Sequence, residues 1–164
     1  MSELLIREYA EGDRESVIDV ILPIQQQEFG IAIAREDQPD LAEIPHFYQQ
    51  KNGNFWVALD GGQIVGTIAL IDIGSGEVAL RKMFVKKSHR SVKHGAAARL
   101  LQTVFDWVES RKILSVYLGT TDKFLAAHRF YEKNGFEKIS REALPASFPV
   151  MKVDMVFYRW LRSS

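Results

Sequence analysis

The chain has 164 residues, which suits a single domain spanning residues 1–164 and buries roughly two-thirds of the surface its unfolded form exposes. Lys plus Arg number 21 and Asp plus Glu number 21, so the net charge of zero does not indicate a globally basic nucleic-acid binder or an acidic tail. Cysteine is absent, which removes disulfides, thiolate metal sites and a cysteine nucleophile.

The opening MSELLIREYA carries charges where a signal peptide needs an apolar core, and no apolar run approaches the ~20 residues of a membrane span. The expectation is an untargeted cytoplasmic protein with no membrane association. Leu4 to Tyr9 reads as a first strand, and Asp13 as the N-cap of a helix that reaches about Glu28 and ends at Gly30. After an acidic, irregular segment, Pro39-Asp40 opens a short helix over Leu41 to Gln50.

Asn54 to Leu59 and Gln63 to Ile73 flank Asp60-Gly61-Gly62, the clearest hairpin signal in the chain. Glu77 to Val85, entered through Gly74-Ser75-Gly76, continues this antiparallel meander. From Ala97 the pattern changes: Leu100, Leu101, Val104, Phe105 and Val108 keep helical spacing. A strand over Ile113 to Gly119, a helix over Lys123 to Asn134, a strand over Phe136 to Ile139 and a last strand through Met151, Val153, Met155 and Phe157 complete the reading. The fold class is therefore α+β or mixed α/β around one central sheet.

Between Arg81 and Arg99 lie Arg81, Lys82, Lys86, Lys87, Arg90, Lys93 and Arg99, and no acidic residue occurs from Val78 to Phe105. This basic run coincides with a strand-to-helix junction, KKSHRSVKHGAAARLL, in which Gly95 and three alanines open the helix. Unpaired N–H groups and the positive end of the dipole make such a junction a place for a diphosphate, with its oxygens over Gly95, Ala96 and Ala97. The alternative is a solvated basic face ahead of an Ala-rich helix. Further on, AAHRFYEKNGF places Tyr131 on one helix face, Ala127 and Tyr131 being an i, i+4 pair, so pattern alone reads the ring as core.

The segment Arg90 to Ala97, RSVKHGAA, resembles the acyl-CoA pyrophosphate loop of the GNAT superfamily of N-acyltransferases. Gly95 and Ala97 match its small positions and Leu100-Leu101 its leucine pair. The loop departs from the common form in having Val92 at the Gln/Arg position and Arg90 two residues before it. ALRKMFV, LGTT and AAHRFYEKNGF resemble, in the same order, the strand before the loop, the end of the next strand and the family's Tyr-Glu-Lys-x-Gly-Phe signature, over roughly Asn54 to Ile139.

The resemblance implies a twisted, mostly antiparallel sheet of about seven strands with one splayed parallel pair, flanked by about four helices. It implies acetyl-CoA as co-substrate, with no metal, and direct attack by a primary amine of an unidentified small molecule or peptide. Phe84 and Val85 would bond the pantetheine through the main chain. Arg90, Lys93, His94, Gly95, Ala96 and Ala97 would hold the pyrophosphate. A family asparagine that bonds the pantetheine is here Phe124, so that contact is either missing or supplied by Thr120 or Thr121; His128, one turn from Phe124 on the same helix, is placed to touch the cofactor or else is a partly exposed histidine with no ligand role. Tyr131 takes the general-acid position, a phenol of ordinary pKa ~10 being able to protonate a departing thiolate.

The base is less defined. Glu77 stands on the strand leading to the cofactor, His46 and Asp72 are weaker alternatives, and a water wire is a fourth. Acceptor choice falls to Ile24 to Pro45 and Leu144 to Met151, and association into a homodimer is open. A non-catalytic acyl-CoA-binding sensor or adaptor is the rival reading. Nucleic acid is not expected as a partner, because the basic stretch lacks interleaved exposed aromatics.

Overall fold

The computed structural model describes residues 4–90, 95–122 and 125–162. Its strands are β1 (Leu4–Glu8), β2 (Asn54–Asp60), β3 (Gln63–Gly74), β4 (Glu77–Val85), β5 (Ser115–Thr120), β6 (Glu137–Ile139) and β7 (Val156–Leu161). They form one sheet in the order β1-β2-β3-β4-β5-β7-β6, antiparallel throughout except for β4 against β5. The β2–β3 hairpin closes on Gly61 and Gly62, at φ 59° and 84°, with Asp60 opposite Gln63; two consecutive left-handed residues are what such a tight turn demands.

Five α-helical segments flank the sheet: α1 (Arg14–Pro23), α2 (Pro39–Ala42), α3 (Ile44–Phe47), α4 (Ala96–Ser110) and α5 (Leu125–Lys133). The helical stripe of α4 buries Leu100, Leu101, Val104 and Val108 against Ile68, Val78, Val116 and Leu118, with Tyr131 of α5 in the same core. On the other face Val17, Ile18, Val20 and Ile21 of α1 pack on Phe55, Val57, Leu59 and Ala69. The sheet is thus covered on both sides, which its mostly apolar central strands require.

Three local expectations change. The helix predicted over 41–50 is two short turns, because Pro45 lacks the N–H that a continuous helix would need to bond residue 41. Asp13 does not cap α1; its carboxylate takes both Arg7 Nη atoms, at 2.7 and 3.0 Å, and the Ala10 N–H. That fork holds its pKa below the ordinary aspartate value. The last strand begins at Val156 rather than Met151, since Met151 and Asp154 bond one another twice, through Asp154 N–H to Met151 O and Met151 N–H to Asp154 Oδ2. Those bonds fold 151–154 into a turn despite its alternating pattern. Beyond Pro23, α1 continues as a π turn, Ile24–Glu28, closed by Phe29 N–H on Ile24 O.

Candidate active site

β4 and β5 pair only through Glu77↔Ser115, Val78↔Val116 and Ala79↔Tyr117. Beyond that point they part, and the cause lies on the opposite edge of β4. The register with β3 steps from Ala69↔Arg81 to Thr67↔Phe84, so Lys82 and Met83 together face Ile68. This is a bulge, with Lys82 at φ 53° and its carbonyl held by Thr67 Oγ1 at 2.7 Å. A bulge bends its strand and raises local twist, which turns the second half of β4 away from β5. The resulting cleft has a volume of about 630 Å³, within the range of small-molecule sites.

Tyr131 lines this cleft with its ring in the core, between Phe136 and Tyr158. Its hydroxyl donates to Met83 Sδ at 3.6 Å, just past the bulge. A thioether is a weak acceptor, so the phenol proton is nearly uncommitted. Burial lifts its pKa above the ordinary tyrosine value, which keeps the proton in place at neutral pH.

Gly95 precedes α4 in the left-handed conformation, φ 62°, with buried Ala96 and partly buried Ala97 behind it. Lys93, His94 and Phe124 lie outside the described residues. Arg90 is bound at both ends: Nε donates to Val85 O at 2.8 Å, and the two Nη atoms fork onto Glu28 at 2.5 and 2.8 Å. Phe84 lines the cleft and tilts against Phe29, while Val85 is buried beside it. Thr120 ends β5 on the cleft wall, and its carbonyl accepts Met155 N–H. His128 Nε2 donates to Thr121 O at 2.8 Å, one helical turn before Tyr131 on α5.

Glu77 stands apart from these residues. It is at the closed end of the pair, where its carboxylate accepts Ser115 Oγ at 2.7 Å, and it is not part of the cleft wall. His46 and Asp72 are also off the wall; Asp72 accepts the N–H groups of Asn52 and Gly74. The carboxylates on the cleft are Asp37, Asp40 and Asp154.

Two arrangements were missed in the sequence. Lys82 turns inward with its side chain 7 % exposed and donates to Gln38 Oε1 at 2.7 Å, with Asp40 at 3.3 Å. Asp40 also accepts the Tyr48 hydroxyl, and Gln38 pairs reciprocally with buried Gln25. Burial lowers the Lys82 pKa, with Asp40 opposing. Adjacent Arg81 and Lys82 inside an apolar strand were the available signal, since period-2 alternation sends one of two neighbours inward unless a bulge intervenes. The second is Asp154, which folds over Gly119 where β5 leaves β4; a Cβ on Gly119 would stand 2.6 Å from Asp154 Oδ2. Burial raises the Asp154 pKa, against the Met151 N–H, Arg81 and Arg141. Among the described residues no group of three His, Cys, Asp or Glu could hold a metal ion, and no helix is long and apolar enough to cross a membrane.

The comparisons agree with this geometry. A crystal structure of a GNAT-family acetyltransferase from Staphylococcus aureus Mu50 is 44 % identical, covers 96 % of this chain and 98 % of that one, and superposes with a TM-score of 0.91. The PaiA N-acetyltransferase of Thermoplasma acidophilum, crystallised with coenzyme A, shares the fold at 15 % identity and a TM-score of 0.76, over 98 % of this chain and 99 % of that one. Curated relatives include N-acetyltransferase family 8 member 2 of Rattus norvegicus, 32 % identical over 65 % of this chain, and the N-acetylaspartate synthetase of Danio rerio, 35 % identical over 61 %. The matches span 48 % and 36 % of those two proteins, so the chain corresponds to half or less of each. The family model for the acetyltransferase (GNAT) family matches residues 18–136. On that match, and on the splayed, bulged sheet, the chain belongs to the GNAT family of acetyltransferases.

Proposed function

We propose that this chain moves an acetyl group from acetyl-CoA to a primary amine by direct attack in a ternary complex. The observation that carries this is the Tyr131 hydroxyl, buried, protonated and weakly bonded, aimed at the gap where β4 and β5 part. The residues present suit the co-substrate. The facing edges of β4 beyond Ala79 and β5 beyond Tyr117 offer main-chain groups to an extended pantetheine arm, Phe84 and Val85 among them. The small residues Gly95, Ala96 and Ala97 at the start of α4 suit its pyrophosphate. We assign Lys93, His94 and Arg90 to the same site, as the family resemblance implies. Thr120 and His128 take the remaining positions beside the arm.

In this reading the neutral amine attacks the thioester carbonyl, and a backbone N–H of the bulged strand near Phe84 stabilises the oxyanion. The C–S bond then breaks and the thiolate takes the Tyr131 proton. Proton removal from the incoming ammonium is assigned to a carboxylate on the cleft wall rather than to Glu77, which accepts Ser115 Oγ through Oε2 at the closed end. An amino-acid acceptor is favoured by the name of the aspartate-acetylating relatives.

The test is thiol release from acetyl-CoA with a panel of amines, amino acids and peptides, run beside thermal unfolding with and without acetyl-CoA. Turnover with at least one acceptor and a raised Tm are expected. A raised Tm with no turnover on any acceptor would favour the sensor reading instead.

A further inference from the structure

Arg81 and Asp154 both line the cleft, Arg81 on β4 beyond the last β4–β5 pair and Asp154 over Gly119 of β5. Arg81 donates through Nη2 to Met151 Sδ at 3.3 Å, and its guanidinium carbon lies 5.9 Å from the centre of the Tyr48 ring. No carboxylate of the described residues is within salt-bridge distance of it. By contrast Arg7, Arg35 and Arg90 each fork onto an acid, and Lys82, its neighbour on the bulge, is matched by Asp40. A guanidinium has five donors and binds carboxylates in bidentate fashion, so a thioether leaves most of Arg81 unused.

Asp154 complements it. Oδ2 accepts the Met151 N–H, whereas Oδ1 has no donor among the described residues. The side chain rests on Gly119, the first β5 residue past Leu118 at the open end of the gap, where any larger residue would push it out. Apolar Phe29, Ile31, Ile33, Phe148 and Val153 also line the cleft, together with the charged Asp37, Lys152 and the Lys82–Asp40 pair.

We infer that the acceptor is an amine that carries its own carboxylate on an apolar body, Arg81 forking onto the carboxylate and Asp154 facing and deprotonating the amine. This rests on the acetyltransferase reading above. The acceptor enters as a zwitterion, its negative end on the Arg81 guanidinium and its positive end on the carboxylate over Gly119. Asp154 takes one proton from the ammonium, directly or through one water. The freed nitrogen lone pair forms the C–N bond to give the oxyanion, the C–S bond then breaks as the carbonyl re-forms, and the thiolate takes the Tyr131 proton. The second nitrogen proton leaves as the amide forms and restores Tyr131, and Asp154 returns its own to solvent. The products are an N-acetyl amino acid, CoA thiol and one released proton, which balances.

The experiment compares L-leucine with L-leucinamide and L-phenylalanine with L-phenylalaninamide, reading CoA thiol release from acetyl-CoA. The amides keep the shape and lose only the charge. Their amines are also more deprotonated at neutral pH, so intrinsic reactivity runs against the expected result. A hydrogen bond to a charged partner supports roughly a tenfold to hundredfold preference in kcat/KM for the free amino acids. Arg81→Gln collapses that preference and Arg81→Lys restores part of it, while Asp154→Asn lowers kcat with both acceptors and leaves N-acetyl-leucine binding in place.

Equal turnover of acids and amides, or a preference that survives Arg81→Gln, would overturn the acceptor class. Unchanged kcat in Asp154→Asn would overturn its role. If neither pair releases thiol while acetyl-CoA still raises Tm, the acceptor class fails and the acetyl-CoA reading stands. If acetyl-CoA does not raise Tm, the acetyltransferase reading itself fails. The wild-type comparison decides the class even if an Arg81 variant does not fold.

Discussion

The Tyr131 hydroxyl donates to the sulfur of Met83 at 3.6 Å, across the point where β4 bends away from β5. Its ring contacts with Phe136 and Tyr158, at centroid distances of 5.6 and 6.0 Å, do not involve the oxygen. Tyr131→Phe therefore keeps the packing and loses a weak bond, so stability should change by less than about 1 kcal/mol. Turnover should fall on the order of a hundredfold, the usual worth of a positioned proton donor. The acetyl-CoA-induced rise in Tm should be retained. Wild-type turnover in this variant would leave Tyr131 a packing residue only.

The same burial gives a pH prediction. The folded chain holds the Tyr131 proton above the ordinary phenol value of 10.0. Its contribution to stability is complete below that value and is lost as pH rises through it, because the unfolded chain gives up its proton first. Ionisation of Tyr131 should accordingly take nothing from the alkaline limb of kcat below about pH 9, an ordinary phenol titrating near ~10. A kcat that declines with an apparent pKa near neutrality, and does so only when Tyr131 is present, would contradict the assignment.

Gly119 and Asp154 make a second pair whose geometry is restrictive. A Cβ at 119 would lie 2.6 Å from Oδ2, 2.7 Å from Cγ and 3.1 Å from the Phe157 ring. Gly119→Ala must displace the carboxylate from the end of β5, at a cost of about 1–3 kcal/mol, typical of overpacking. Kinetics should follow Asp154→Asn more closely than stability does, with lowered kcat and little change in acetyl-CoA binding. Unaltered kinetics with lowered Tm would show that only packing is involved there.

The strands were legible wherever a turn residue or a strict alternation marked them. Gly61-Gly62 pinned the β2–β3 register, and the Leu100 to Val108 stripe fixed the buried face of α4. The alternation through Met151, Val153 and Met155 misled, because the two bonds between Met151 and Asp154 outweigh the pattern. The family motifs pointed to Tyr131 and Gly95, which are local in sequence. They could not find Lys82 with Asp40, Asp154 over Gly119, or Arg90 with Glu28, since each joins segments more than thirty residues apart through a fold only the assembled sheet creates.

Lys82 and Asp40 illustrate what such a pair does. Asp40→Asn leaves an ammonium that is 7 % exposed without its counter-charge, which should cost about 3–5 kcal/mol. Replacing both residues with apolar ones should cost less than the two single changes added together, and a double-mutant cycle in urea would measure the difference. Burial lowers the Lys82 pKa below 10.5. Between that lowered value and 10.5 the unfolded chain binds the extra proton, so this group makes stability rise with pH. Lys82→Met should flatten that slope. Unfolding free energies from pH 8 to 10 in the two backgrounds isolate it, because the tyrosines contribute equally to both.

Arg90 and Glu28 tie the segment after β4 to the π turn after α1, the two sides of the cleft mouth. Their side chains are 38 % and 32 % exposed, so the fork should add less than about 1 kcal/mol to stability. Its larger effect should be on the charge that Arg90 can offer an acyl-CoA. Arg90 lowers the Glu28 pKa, so both remain ionised at neutral pH and largely cancel. Glu28→Gln frees the Arg90 guanidinium and should lower the KM for acetyl-CoA at low ionic strength, whereas Arg90→Ala should raise it. Both effects should shrink toward 1 M salt, where screening acts over about 3 Å. A rise in KM with either substitution, insensitive to salt, would instead mean that the fork acts by holding the Val85 carbonyl in position, with Arg90 contributing geometry rather than charge.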